Sequence, residues 1–322
     1  MEYEKFIAGK LKPEWYHGIE GKAEQNKMLF PYQVDIVNWA LRKGRACIFA
    51  DCGLGKTPMQ LEWAKQIHEH TKQPVLILAP LAVSKQTKRE GEKFKIPVNI
   101  AASADDVING INITNYEKLH NFEPSVFAGV VLDESSIIKA FMGKLRNHII
   151  DSFRGTPYKL ACTATPSPND FTELGNQSEF LGVMSRPEML AMYFINDMGT
   201  SQKWRIKKHA GDEFWKWVCS WGVMLGKPSD LDYSDKGFKL PELKINEVIV
   251  ESDYKPDGVL FSSGVISLTE RREARKSSVQ VRAEKCAEIV NNSDDQFLIW
   301  CGLNDEGKLL RKLIPDAVEV AG

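Results

Sequence analysis

Between residues 30 and 180 short apolar runs alternate with amphipathic stretches. The runs are ACIFA (46–50), VLILA (75–79), INIT (111–114), GVVLDE (129–134) and KLACTAT (159–165), each rich in β-branched residues or Leu and each followed by a turn signal. A run with no polar face suits a strand buried on both sides of a parallel sheet. Ahead of the first run, Pro31 opens a helical pattern in which Val34, Val37 and Leu41 share a face, and Gly44 can close it. Strands alternating with helices predict a three-layer α/β domain with right-handed crossovers.

The pattern changes after residue 180. Trp204, Trp215, Trp217 and Trp221 fall in a stretch without strand alternation, which predicts a helical insertion over 181–240 that ends in a polar loop from Lys227 to Gly237. Within it Phe214, Trp217, Val218 and Trp221 recur at i, i+3, i+4 and i+7, the spacing of a buried helical stripe, with Trp215 left on the more exposed side. LPELKINEVIVES (240–252) predicts an extended crossing segment, Glu270–Lys285 one long solvated helix, and FLIWC (297–301) a further buried strand. An amphipathic segment then runs to Leu313, and VEV (318–320) opens another strand.

Composition adds exclusions. Of 322 residues, 43% are hydrophobic and 26% charged, which is globular rather than disordered, and a net charge of −1 excludes a wholly basic protein without excluding a local basic groove. No apolar run approaches the ~18 residues of a membrane span, and MEYEKFIAGK lacks the apolar core of a signal peptide. A cytoplasmic protein with no membrane partner is expected, in a bacterial or phage-infected host cell. Cys47, Cys52, Cys162, Cys219, Cys286 and Cys301 form no CxxC pair and no zinc-spaced cluster, so they read as thiols of a reducing compartment.

The candidate chemistry begins at Ala50-Asp51-Cys52-Gly53-Leu54-Gly55-Lys56-Thr57, between an apolar strand and a helical pattern. Gly53 and Gly55 allow the backbone around Leu54 to turn its N–H groups towards phosphates, and the helix N-terminus adds a positive dipole end. Lys56 would neutralise the β/γ-phosphates and Thr57 would complete a Mg²⁺ shell. GVVLDES supplies the second half, 77 residues beyond the lysine. Asp133 is expected to hold Mg²⁺ and Glu134 to activate the attacking water.

Together these motifs resemble those of superfamily 2 helicases. The phosphate loop, in its AxxGxGKT form, the Asp133-Glu134 pair and Thr163-Ala164-Thr165-Pro166 are similar to motifs I, II and III. Leu29-Phe30-Pro31-Tyr32-Gln33 resembles the upstream glutamine motif, 23 residues before the lysine, where the family reads adenine. Ala79-Pro80-Leu81-Ala82 with Gln86 resembles motif Ia, and Ile113-Thr114-Asn115-Tyr116-Glu117 the Thr-bearing motif that touches the nucleic-acid backbone. Asn169 and the stretch from Lys227-Pro228 to Leu240-Pro241 look most like the Swi/Snf-type branch, in particular DEAD-like helicases encoded by phages and prophages. The acid motif reads Asp133-Glu134-Ser135-Ser136 here in place of DEAH or DEGH.

The resemblance implies an ATP-dependent DNA helicase or translocase using ATP and Mg²⁺. Gln33 and Tyr32 would bind the base, Thr163 and Thr165 would couple nucleotide state to strand grip, and Pro80, Leu81, Thr114 and Asn115 would lie near a nucleic-acid backbone, DNA rather than RNA. It also implies an N-terminal extension (1–27), a RecA-like ATP-binding lobe (28–180), the Trp-rich insertion (181–240), a crossing segment and helix (241–285) and part of a second RecA-like lobe (286–322). No arginine-bearing motif of a second lobe follows residues 297–301. The chain is therefore expected to be C-terminally incomplete, its missing lobe or a second chain acting as partner. The alternative expectation is a nucleotide- and DNA-binding module with negligible ATPase activity of its own.

Overall fold

The computed structural model describes residues 18–139, 143–197, 203–251 and 268–320. Most of the expected N-terminal extension lies outside them. The chain divides into two compact units, one ending at Leu240 and the other beginning at Pro241.

In the first unit helix α1 (Pro31–Lys43) is followed by β1 (Arg45–Ala50), α2 (Lys56–Thr71), β2 (Val75–Ala79), α3 (Ser84–Lys93), β3 (Val98–Ile100), β4 (Ile111–Asn115), β5 (Gly129–Asp133), α4 (Lys144–Ser152) and β6 (Tyr158–Thr163). After these come α5 (Leu174–Leu181), α6 (Arg186–Tyr193), the hairpin β7 (Phe194–Asp197) and β8 (Lys203–Ile206), α7 (Gly211–Trp221) and β9 (Gly222–Leu225). Seven strands form one parallel sheet in the order β3-β4-β2-β5-β6-β1-β9. Pro31 and Gly44 close α1 as expected, with Gly44 at φ +68°.

Side chains of the central strands alternate between two buried cores. Ala46, Ile48, Val75, Ile77, Val131, Leu160 and Cys162 join one, with residues of α1 and α2 such as Val37 and Trp63. Cys47, Phe49, Leu76, Leu78, Val130, Leu132 and Ala161 join the other, with Phe180, Phe214, Trp217, Val218 and Trp221. Both faces are therefore covered, which is why these strands read as continuous apolar runs. The Trp stripe is buried as its period requires, while Trp215 is half-buried.

Three expectations are corrected. Residues 181–240 are not wholly helical: they contain the β7–β8 hairpin, and β9 joins the sheet beside β1. Glu270–Lys285 is not one helix but parts of α8 (Leu268–Ser277) and α9 (Val279–Asn291). At the break, the Ser278 hydroxyl donates to the Ala274 carbonyl at 2.7 Å, a local bond that competes with regular helix. FLIWC is not a buried strand either: Leu298 and Trp300 are 80% and 89% exposed, and residues 297–301, like 241–250 and 318–320, carry no ladder among the described residues. A strand needs a neighbour for its N–H and C=O groups, and apolar content alone does not supply one. The second unit is instead held by Ala283 and Ala287 of α9 against Leu310 and Ile314, in and just after α10 (Asn304–Leu313), with an Arg282–Glu306 ion pair.

One buried cation carries a stability consequence. Lys159 is 2% exposed; its Nζ donates to the Phe180 carbonyl at 2.9 Å and lies 5.4 Å from the Phe180 ring centroid. Burial, reinforced by Arg45 and Arg154, pulls its pKa from 10.5 to about 7. The unfolded chain then binds one more proton than the folded one between these values, so the penalty from this group grows as pH falls towards 7 and is constant below. The unfolding midpoint of the wild type, taken relative to Lys159→Met, should rise from pH 7 to pH 9. A difference that does not change with pH would mean that Lys159 keeps an ordinary pKa.

Candidate functional site

Because all seven strands run the same way, the loops leaving β1, β2, β4, β5 and β6 emerge at one edge of the sheet. With neighbouring strands about 4.8 Å apart and β6 between β1 and β5, the loop after β1 and the acids after β5 stand roughly 10 Å apart. Thr163, at the end of β6, sits between them. The open α/β architecture commonly binds ligands at this edge.

The loop after β1 is held from three directions. Gly53 and Gly55 take φ of +82° and +72°, the left-handed region that a side chain resists. The Leu54 carbonyl accepts from Tyr32 Oη at 2.9 Å and Gln33 Nε2 at 3.0 Å, while the Asp51 N–H donates to the Leu225 carbonyl of β9 at 3.0 Å. A Cβ on Gly55 would come within 2.4 Å of Gln33 Nε2, whereas one on Gly53 would meet open space. Lys56 Nζ folds back onto the Ala50 carbonyl at 3.0 Å. Helix α2 begins at Lys56 without a side-chain cap, leaving its first N–H groups for an anion. Thr57 is half-buried in the first turn. Gln33 has a structural task as well: its Oε1 accepts from the Phe30 N–H at 2.9 Å, so both ends of the amide hold the loop and its neighbouring helix start.

The acids occupy contrasting positions. Asp133 is 6% exposed, and Gln60 Nε2 donates to its Oδ1 at 2.7 Å. Burial pushes the Asp133 pKa up; the Gln60 hydrogen bond opposes this, Glu134 adds to it and Lys56 opposes it. The Tyr116 hydroxyl donates to the Asp133 carbonyl at 2.6 Å, and burial holds that phenol well above its usual range. Glu134 takes φ +53°, a conformation costing a non-glycine residue about 1–2 kcal/mol. Thr163 Oγ1 donates to Glu134 Oε2 at 3.3 Å and accepts from the Thr165 N–H at 3.1 Å. The end of β6 thus touches the acid directly, and the loop after it is tied to the same hydroxyl through Thr165.

The structure brings Gln33, Tyr32, Leu54, Lys56, Asp133, Glu134, Thr163 and Thr165 into this connected set. The expected nucleic-acid positions are placed differently. Thr114 and Asn115 are buried, and Asn115 Oδ1 accepts the Lys118 N–H at 3.0 Å, leaving main-chain atoms as their means of outside contact. Pro80 is half-buried and Leu81 exposed. Gln60 was missed, although it lies four residues after Lys56 and so on the same helix face. Tyr116 stood inside a recognised motif without an assigned role; only the fold shows that its hydroxyl reaches β5.

Fold and site define a RecA-like P-loop lobe matching those of SWI2/SNF2 ATPase cores. Residues 26–168 match the family described as "Type III restriction enzyme, res subunit". An alignment of 201 positions is 26% identical to chromatin remodeling factor mit1 of Schizosaccharomyces pombe and covers 52% of this chain and 14% of that protein. The SWI2/SNF2 ATPase core of Sulfolobus solfataricus, solved in complex with dsDNA, superimposes with a TM-score of 0.53 at 21% identity, over 64% of this chain and 46% of that one. A second structure of that core domain gives 0.50 at 20% identity, over 65% and 47%. The chain thus spans less than half the length of each of these relatives. The family model matches somewhat less than half of the chain, and the fold is that of the RecA-like lobe of SWI2/SNF2 ATPase cores.

If Gln60 holds the Asp133 carboxylate, Gln60→Leu removes the donor that favours its charged form. The Asp133 titration, followed through its carboxyl carbon resonance, should move upward, and stability at pH 7 should fall by about 1–3 kcal/mol. An unmoved titration would mean that the hydrogen bond does not hold the charge.

Proposed function

We propose that this chain is the nucleotide-hydrolysing part of an ATP-dependent DNA helicase or translocase. The observation that carries the reading is the convergence of Lys56, Asp133, Glu134 and Thr163 at one sheet edge, linked through Gln60 and the Thr163–Glu134 hydrogen bond. The family match and the SWI2/SNF2-like fold support it, as does the double-stranded DNA bound by the Sulfolobus relative.

The residues fit Mg-ATP. The left-handed glycines and the uncapped start of α2 form a cradle for phosphate oxygens, open outward at Gly53. Thr57 and Asp133 would hold Mg²⁺, which when bound offsets phosphate charge. Lys56 would exchange the Ala50 carbonyl for a phosphate oxygen. Glu134, aimed by Thr163, would take the proton from the attacking water. Gln33 and Tyr32 would sense the base and pass its presence to the phosphate loop through Leu54. Pro80, Leu81 and the backbone of Thr114 and Asn115 would face the nucleic acid, DNA in preference to RNA.

A second reading is a nucleotide- and DNA-binding module with negligible turnover alone. It is favoured by the second unit, where the apolar runs at 241–250, 297–301 and 318–320 stand exposed without ladders among the described residues. DNA-stimulated phosphate release measured on this chain separates the two: about 1 s⁻¹ or more excludes the binding-only module. On the leading reading, Lys56→Ala and Glu134→Gln each lower that rate at least about a hundredfold, the low end of general-base catalysis. Intact release in both variants would remove the assignment. Cys52, exposed within the phosphate loop, gives an independent check: thiol alkylation should block nucleotide binding, and Mg-ATP should protect against it.

A further inference from the structure

The loop that follows Thr163, the residue hydrogen-bonded to Glu134, also forms one wall of a separate cleft. An open cavity of about 550 Å³ lies between residues 167–171 and the β7–β8 hairpin, within the size range of small-ligand sites. Ser167, Asn169, Asp170 and Phe171 line its loop side, with Asp170 Oδ1 accepting from the Thr172 N–H at 2.7 Å, and Trp204 and Arg205 line its hairpin side. Phe171 is 47% exposed, and its ring stands edge-on to Trp215, with centroids 5.2 Å apart. Its orientation is thus supported from within the fold while much of it faces solvent. Trp204 is half-buried, opposite Asn196 in the hairpin. Arg205 and Lys208 are exposed, and Lys207 donates to the Ala191 and Met192 carbonyls.

We propose that this cleft takes an unpaired base of a bound nucleic-acid strand, stacked against Trp204 and Phe171, with the adjoining phosphates beside Arg205 and Lys208. The proposal rests on the nucleic-acid reading above and deepens it by naming a single-stranded segment as the occupant. Aromatic rings offer flat faces that accept any base, and neighbouring cations match the strand's charge. Ser167 and Asn169 add polar groups at the edge of the cleft. Its loop wall follows Thr163 and Thr165 in the chain, the pair that joins the end of β6 to Glu134.

The test uses the full chain and an oligonucleotide carrying 2-aminopurine, whose emission falls on stacking. Wild type and Trp204→Phe should quench it. Trp204→Ala and Phe171→Ala should lose most of the quenching and bind the single strand at least about fivefold more weakly, the lower end for one stacked base, with blunt-duplex affinity unchanged within about twofold. Binding of a fluorescent ATP analogue shows that each variant keeps its folded phosphate loop; should Trp204→Ala lose it, Phe171→Ala and Trp204→Phe carry the comparison. Quenching that survives in the alanine variants, or equal weakening towards single strand and duplex, overturns the cleft. A wild-type chain that binds neither strand nor duplex overturns the nucleic-acid reading itself.

Discussion

The parallel ladder joining β1, β6 and β5 is the constraint from which the site follows. Parallel strands must return to the same starting end, so their outgoing loops collect at the opposite edge, whatever those loops contain. Register then places Asp133 beside Cys162, and Phe49 beside Thr163. Three segments separated by dozens of residues in the chain become neighbours through backbone hydrogen bonds alone. The side chains refine that placement: Gln60 reaches Asp133, and Thr163 reaches Glu134.

Holding the site in this form carries a free-energy cost that the surrounding packing must offset. Burial raises the Asp133 pKa, and Glu134 sits in a left-handed conformation that few non-glycine residues adopt. Both tensions lie within two adjacent residues, at the end of a strand buried on both faces. A rigid core on each side of the sheet can sustain such strain where a loop in solvent would relax. The Leu54 carbonyl plays a comparable part for the phosphate loop, since its two donors, Tyr32 and Gln33 of α1, lie 22 and 21 residues ahead of it in the chain.

The loop from Gly226 to Phe238 extends this support. Tyr233 donates to the Asp35 carboxylate, and Phe238 meets Phe30 and Tyr32 edge-on at 5.2 and 5.6 Å. The segment ending the first unit is therefore packed on the helix that carries Gln33. Likewise β9, from the region expected to be helical, supplies the carbonyl that holds Asp51. Residues far from the phosphate loop in the chain thus brace the candidate site as directly as its near neighbours do.

Five of the seven sheet strands, the ends of α1 and the Trp stripe were legible in the sequence, because burial on two faces leaves an unmistakable apolar run and helical packing leaves a 3.6-residue period. The two strands that were missed, β3 and β9, are three and four residues long and form the two edges of the sheet. β3, VNI, carries no continuous apolar run, while β9, GVML, is short and directly continues the apolar stripe of α7. The error at 297–301 is the reverse: apolar content promised a strand, but no ladder forms among the described residues. That Lys56, Asp133 and Glu134 stand where strands end could be read from the apolar runs that precede them. That Gln60 holds Asp133, that Tyr116 braces β5, and that Thr114 and Asn115 turn inward could not. Those facts depend on which strands become neighbours, and strand order is decided by tertiary packing, not by local pattern.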